Sequence, residues 1–174
     1  TLEEMLSRVN ILMKHELKEA LVTLNVDSKI PQSTKIYGNV NALVQVVNNL
    51  ISNAIQAYGV VQILGKSYAQ AQSNGPSPAA GNIQNVPVDE KTIDLIIDKK
   101  DDNIVISVSD HGCGMSDEVK NKLFKEMITT KGHNGSGLGL FMSYSTIKGN
   151  FKGDIKFTSE VGKGTTFNII LPRK

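Results

Sequence analysis

Apolar residues recur at helical spacing from the start of the chain. Leu2, Met5, Leu6, Val9, Leu12 and Met13 form one stripe, and Glu3 and Glu4 stand where a helix N-terminus favours negative charge. The pattern predicts a first helix. Leu21 to Val26 is then a β-branched run that stops at the turn-rich Asp27-Ser28-Lys29-Ile30-Pro31, which predicts a strand. Lys35-Ile36-Tyr37 predicts a second short strand, closed by Gly38-Asn39. Asn39 is placed to cap a long helix carrying Leu43, Val46, Val47, Leu50, Ile51, Ala54 and Ile55.

Periodicity fades from about Gly59 to Lys91, where Gln, Ser, Asn, Gly and Ala crowd with Pro76, Pro78 and Pro87. This predicts a long loop, mobile in its middle, with the helix continuing through Val60, Val61, Ile63 and Leu64 before it frays. Thr92 to Asp98 and Asn103 to Asp110 alternate as a hairpin around Lys99-Lys100-Asp101-Asp102. A short polar helix pattern comes next, and Gly139 to Ile147 is again helical. Gly153 to Ser159 and Thr165 to Leu171 form a second hairpin around Glu160-Val161-Gly162-Lys163-Gly164. Helices thus interrupt runs of mostly antiparallel strands. The expected fold class is α+β: a two-layer α/β sandwich, its mixed, mostly antiparallel sheet carrying helices on one face.

Composition narrows the function classes. The length of 174 residues suits a single domain, 1–174, with its own core. Lys and Arg number 19 against 17 Asp and Glu, a net charge of +2 with no basic block, so no nucleic-acid partner is expected. Cys113 is the single cysteine, which excludes an intramolecular disulfide and suits the cytoplasm. No apolar run approaches the roughly 18 residues that span a bilayer, so no membrane contact by this domain is expected. The chain opens on Thr1, not methionine, and is expected to be a piece of a longer protein.

Three stretches carry candidate chemistry. Asn49 and Asn53 lie four apart on the long helix and share a face; an amide oxygen is a neutral, hard ligand of the kind Mg²⁺ accepts beside phosphates and water. The same pair would serve as surface asparagines bonded to loops. Asp110 ends a strand and is followed by Gly112 and Gly114: a carboxylate can accept from an exocyclic amine while glycine lets the backbone approach a flat ring. An ordinary Asx-turn gives the same letters. His111 and Cys113 lack the further ligands that a metal-thiolate site needs. Gly135-Ser136-Gly137-Leu138-Gly139 opens a helix, so free amides and the helix dipole converge where an anion would sit. Neither a Walker loop nor a dinucleotide fingerprint is present. Lys131, with Thr129 and Thr130, stands on a polar lid just before that turn, and His133 is an exposed bystander.

Taken in order, five boxes resemble one family. They are Asn49-Leu50-Ile51-Ser52-Asn53-Ala54; Asp110-x-Gly112-x-Gly114; Leu123-Phe124-Lys125-Glu126-Met127-Ile128-Thr129-Thr130-Lys131; Gly135-x-Gly137-Leu138-Gly139-Leu140; and Gly162-Lys163-Gly164-Thr165-Thr166-Phe167. They look like the N, first glycine, F, second glycine and third glycine boxes of the histidine-kinase catalytic and ATP-binding domain. The resemblance implies the Bergerat fold and ATP bound with Mg²⁺ under a flexible lid. By it, Asn53 would ligand Mg²⁺ and Asp110 would hold the adenine amino group, helped by Thr165. Gly112 and Gly114 would shape the adenine turn, and the amides near Gly135, Gly137, Leu138 and Gly139 would hold phosphates. Lys131 would reach the γ-phosphate. The usual pattern differs at Gln56, His111 and Met127-Ile128, and its loop corresponding to 59–91 is shorter.

The superfamily's hydrolases carry a glutamate as general base where this chain has Asn49, and an amide cannot take a proton at neutral pH. Asn49 and Lys131 are therefore expected to position ATP for a supplied nucleophile. The expected function is the catalytic domain of a two-component sensor protein-histidine kinase. It would pass the γ-phosphoryl group to a histidine on a separate dimerisation and phosphoacceptor domain, for relay to a response regulator. The alternatives are an ATP hydrolase or clamp, a serine kinase of the type that restrains a sigma factor, and a non-catalytic nucleotide-binding module. Lys14-His15-Glu16-Leu17-Lys18 imitates the phosphoacceptor box, but His15 falls in the first helix and a strand follows. The acceptor is expected before Thr1 or on another chain, and the full-length protein in the cytoplasm or anchored at the inner side of the cell membrane.

Overall fold

In a computed structural model the described residues are 1–71, 91–124 and 138–173. They form α1 (Leu2–Ala20), β1 (Thr23–Ser28), α2 (Val40–Ala71), β2 (Thr92–Lys100), β3 (Asn103–Asp110), α3 (Asp117–Lys122), α4 (Leu138–Phe151), β4 (Asp154–Glu160) and β5 (Gly164–Pro172). Among the described residues the sheet has five strands in the order β1-β2-β3-β5-β4. β1 runs parallel to β2, and every other pairing is antiparallel.

Alternation along the strands decides which face is covered. Ile93, Leu95 and Ile97 of β2, Ile104, Ile106 and Val108 of β3, and Phe167, Ile169 and Leu171 of β5 all enter one core. From above, that core receives Met5, Val9, Met13 and Leu17 of α1, Leu43, Val47, Leu50 and Ile51 of α2, and Ile147 and Phe151 of α4. The sheet's other face carries polar pairs, Ser107 with Asn168 and Ser109 with Thr166, each at 2.7 Å. This is the expected sandwich with helices on one face.

Helix starts are set by local caps. Thr1 Oγ1 accepts from the Glu4 N–H, and Asn39 Oδ1 accepts from the Asn41 and Ala42 N–H groups at 2.9 and 3.2 Å. Asn39→Ala is expected to cost about 1 kcal/mol. A lower urea midpoint at unchanged slope would register that loss, and an unshifted midpoint would show that the cap is dispensable.

Two expectations are corrected. Residues 35–37 form no strand: the carbonyls of Gln32 and Thr34 each accept at 2.9 Å from Glu3 and Leu2, capping α1, and Ile36 packs on the core. The start of a helix has free N–H groups, and the carbonyls just before residues 35–37 accept from them, so the chain here serves α1 instead of extending the sheet. The loop expected from about Gly59 begins later, because α2 runs to Ala71. One interior glycine costs a helix only about 1 kcal/mol, too little to end it. Residues 72–90 lie outside the described residues.

Candidate nucleotide site

The site begins where β3 ends. Asp110 is only 6% exposed, and its Oδ1 accepts from the Gly112 N–H at 2.8 Å. Burial pushes its carboxyl up to about 6, against the pull of the Gly112 and Thr165 backbone donors and of His111. A buried carboxylate whose partners are mostly neutral donors retains an unsatisfied appetite for further ones, which an exocyclic amine would meet.

Glycines around it are required by close approach. A Cβ on Gly112 would stand 2.6 Å from the Ala57 Cβ, so α2 seats directly beneath the turn. Gly114 has φ +67, and a Cβ there would come within 2.1 Å of the Glu160 carbonyl oxygen. The turn is thereby pressed against the β4–β5 hairpin, and Gly162 N–H closes on the Cys113 carbonyl at 2.9 Å. Thr165 is buried opposite Asp110, its Oγ1 2.9 Å from Ser159 Oγ. Ser159 Oγ also accepts from Met115 N–H at 2.8 Å and reaches the Gly164 carbonyl at 3.1 Å. Ser159 was not among the sequence candidates. Its signal was a polar residue at a core-facing step of β4, two beyond Phe157.

The amide stripe lies along α2. Asn49, Asn53 and Ala57 follow one another at helical i, i+4, i+8 spacing and are all half-buried. Eight residues of helix rise roughly 12 Å, so the stripe runs from the start of α4 to the Asp110 turn over a nucleotide-sized span. At the α4 end, Asn49 Nδ2 donates to Ser143 Oγ at 3.0 Å, and Ser143 is 4% exposed. A Cβ on Gly139 would fall 2.4 Å from Asn49 Oδ1, so only glycine leaves the amide its place. Ser143 was likewise missed by sequence reasoning; its partner is 94 residues away.

The structure therefore brings together Asn49 and Gly139, and separately Asp110, Gly112, Gly114 and Thr165, with α2 connecting the two groups. Asn53 lies between them on the stripe. Leu138 and Gly139 open α4, although the Leu138 side chain is outside the described residues. Lys131, Gly135 and Gly137 also lie outside them, as do Thr129, Thr130, His133, Met127 and Ile128. Of the F box, the described residues are Leu123, which is buried, and Phe124. Its ring stacks on Tyr144 at 4.8 Å and meets Phe157 and Phe167 edge-on at 5.7 and 6.3 Å, a packing that holds its backbone at φ 64. Gln56 is exposed. His111 is 58% exposed, with Nε2 3.6 Å from Asp94 Oδ2 on the polar face of the sheet. His15 is exposed on α1, 3.4 Å from Glu19.

Comparison with known proteins meets this geometry. The family described as histidine kinase-, DNA gyrase B- and HSP90-like ATPase matches residues 38–174. The chain belongs to this family. It is 29% identical to sporulation kinase A of Bacillus subtilis over 97% of its own length and 28% of that protein's. It is 33% identical to a probable C4-dicarboxylate sensor kinase of Halalkalibacterium halodurans over 76% of its length and 20% of that protein's. The chain thus spans less than a third of either relative. Among solved structures, the catalytic domain of histidine kinase ThkA superposes with a TM-score of 0.70 at 20% identity, covering 99% of this chain and 92% of that one. Full-length ShkA in complex with AMPPNP gives 0.70 at 19% identity, covering 99% and 30%. These likenesses show the Bergerat fold. Among the described residues, no helix of this family member is long and apolar enough to cross a membrane.

Proposed function

We propose that this family member is the ATP-binding catalytic domain of a two-component sensor protein-histidine kinase. The observation that carries the proposal is the pairing of a buried amine acceptor, Asp110, with an amide at Asn49 where a water-activating base would stand. Asp110 takes the adenine amino group, Thr165 stands beside it, and Gly112 and Gly114 admit the ring. The amides at Gly135, Gly137, Leu138 and Gly139 receive the phosphates, with Lys131 at the terminal one. Asn53 offers Mg²⁺ a neutral oxygen, which fits an ion that keeps waters and phosphate oxygens as its other ligands. When bound, the ion would neutralise charge that develops on the phosphates.

In the transfer, an imidazole nitrogen of the acceptor forms a bond to the γ-phosphorus. The bond from that phosphorus to the bridging oxygen breaks, and ADP leaves with the electron pair. Asn49 accepts no proton, so the chain positions ATP and leaves water unactivated. The acceptor histidine belongs to a dimerisation and phosphoacceptor domain, and the phosphoryl group passes on to a response regulator. A neighbour in fold, histidine kinase ThkA, has been solved in complex with the response regulator protein TrrA, which supports this partner class. The site works in the cytoplasm, and any anchor would lie elsewhere in the full-length protein.

The test supplies γ-labelled ATP, Mg²⁺ and the phosphoacceptor domain of a similar histidine kinase to the chain. Acid-labile, alkali-stable label on the acceptor is expected. Acid-stable label would point to a serine kinase. Free phosphate without acceptor labelling would point to a hydrolase, and either result would overturn the proposal.

A further inference from the structure

Tyr58 follows Ala57 on α2 and is 3% exposed. Its hydroxyl donates to the Thr92 carbonyl at 2.5 Å and accepts from the His111 N–H at 3.0 Å. These two groups sit one step beyond the last β2–β3 pair, Ile93 with Asp110, at the point where β3 leaves the sheet. The Tyr58 hydroxyl supplies a bond to each. A phenylalanine would fill the same space, so core packing alone does not call for the oxygen, and a buried hydroxyl is costly unless it is bonded. Burial and the nearby Asp110 and Asp94 raise the phenol further, which keeps it a donor at every working pH.

We propose that Tyr58 is a positioning residue for Asp110, fixing the His111 peptide so that the carboxylate presents itself to adenine and rejects guanine. The inference rests on the ATP assignment above. Three adjacent residues, Asp110, His111 and Gly112, are then held from two directions. Tyr58 grips the His111 N–H, while Ala57 lies under Gly112, whose own N–H holds Asp110 Oδ1. One helical turn of α2 thus sets the carboxylate in place. The chemistry of the two bases makes placement decisive. Adenine offers an amine donor where guanine offers a carbonyl acceptor, so a held carboxylate attracts one and repels the other. A carboxylate free to swing would discriminate less.

Calorimetric titration of the wild type and of Tyr58→Phe, with non-hydrolysable analogues of ATP and GTP, tests this alongside thermal melts. The variant is expected to bind the ATP analogue about tenfold more weakly, the factor that one hydrogen bond of ordinary net strength is worth. Binding of the GTP analogue should not weaken, so the preference for adenine narrows by about the same factor. Backbone exchange at His111 should quicken while the rest of β3 stays protected. An unchanged preference, even with a lower melting temperature, would make the hydroxyl structural only and overturn the proposal. A wild type that does not bind the ATP analogue, or does not prefer it, would overturn the ATP assignment itself and the Tyr58 role with it.

Discussion

Asp110→Asn is expected to give a domain that is more stable than the wild type and no longer binds ATP. The two effects share one cause. Burial holds the Asp110 carboxyl at about 6 in the folded chain, above its ordinary value of 3.8. A group with a raised folded pKa contributes stability that is present below its unfolded pKa and lost as pH rises through the folded one. The contribution of Asp110 therefore falls between about pH 4 and pH 6 and stays low above that window. The full swing for such a shift is on the order of 3 kcal/mol. Asparagine removes the charge yet keeps an oxygen for the Gly112 N–H, while its amide nitrogen faces the Thr165 donor. The net gain at pH 7.5 is thus about 1–2 kcal/mol.

Binding moves the other way. The amide nitrogen is a donor where adenine also presents one, and affinity should fall at least about a hundredfold. In the wild type, nucleotide affinity should decline below about pH 6 as the carboxyl takes up its proton. Denaturant melts and titrations of both proteins at several pH values measure all of this. A variant that is less stable at pH 7.5, or that retains ATP affinity, would contradict the role given to Asp110.

Gly164→Ala should be among the most damaging single changes in the hairpin. Gly164 has φ +112, and a Cβ there would lie 2.0 Å from the Asp110 carbonyl oxygen and 2.8 Å from the His111 Cα. Both neighbours are backbone, so neither can turn aside. Strain at that φ and displacement of β3 together should cost about 3–5 kcal/mol, and the shift would carry the adenine carboxylate with it. Gly162, two residues earlier, separates the two contributions. Its φ is +79, but among the described residues a Cβ there meets nothing within 4 Å. Gly162→Ala should cost only about 1 kcal/mol, from backbone conformation alone. Chemical denaturation of the pair reads the difference, and equal losses would remove the steric argument.

Much of the fold was legible because its signals act over a few residues. The Asn39 cap, the stripe from Leu43 to Ile55, the alternation of Ile93, Leu95 and Ile97, and the two hairpins each depend on neighbours close in sequence. The segment 35–37 was misread for the opposite reason. Its local pattern suits a strand, but the carbonyls just before it are taken by the start of α1, some thirty residues earlier. The length of α2 was underestimated because Gly59 and the polar residues after it lower helical preference without forbidding helix.

The site divides along the same line. The sequence by itself determined the order of the boxes, the spacing of Asn49 and Asn53 on one helix face, the placing of Asp110 at a strand end, and the absence of a base at Asn49. These follow from residue identity, helical periodicity and turn chemistry. Only the tertiary structure decided that Asp110 is buried enough to be pushed to about 6, that Gly164 rests against its carbonyl, and that Ser143 holds Asn49. It also decided that Tyr58 reaches His111 across 53 residues of chain. Burial, close backbone approach and hydrogen bonds between distant segments are properties of surfaces brought together by folding, and no local pattern carries them.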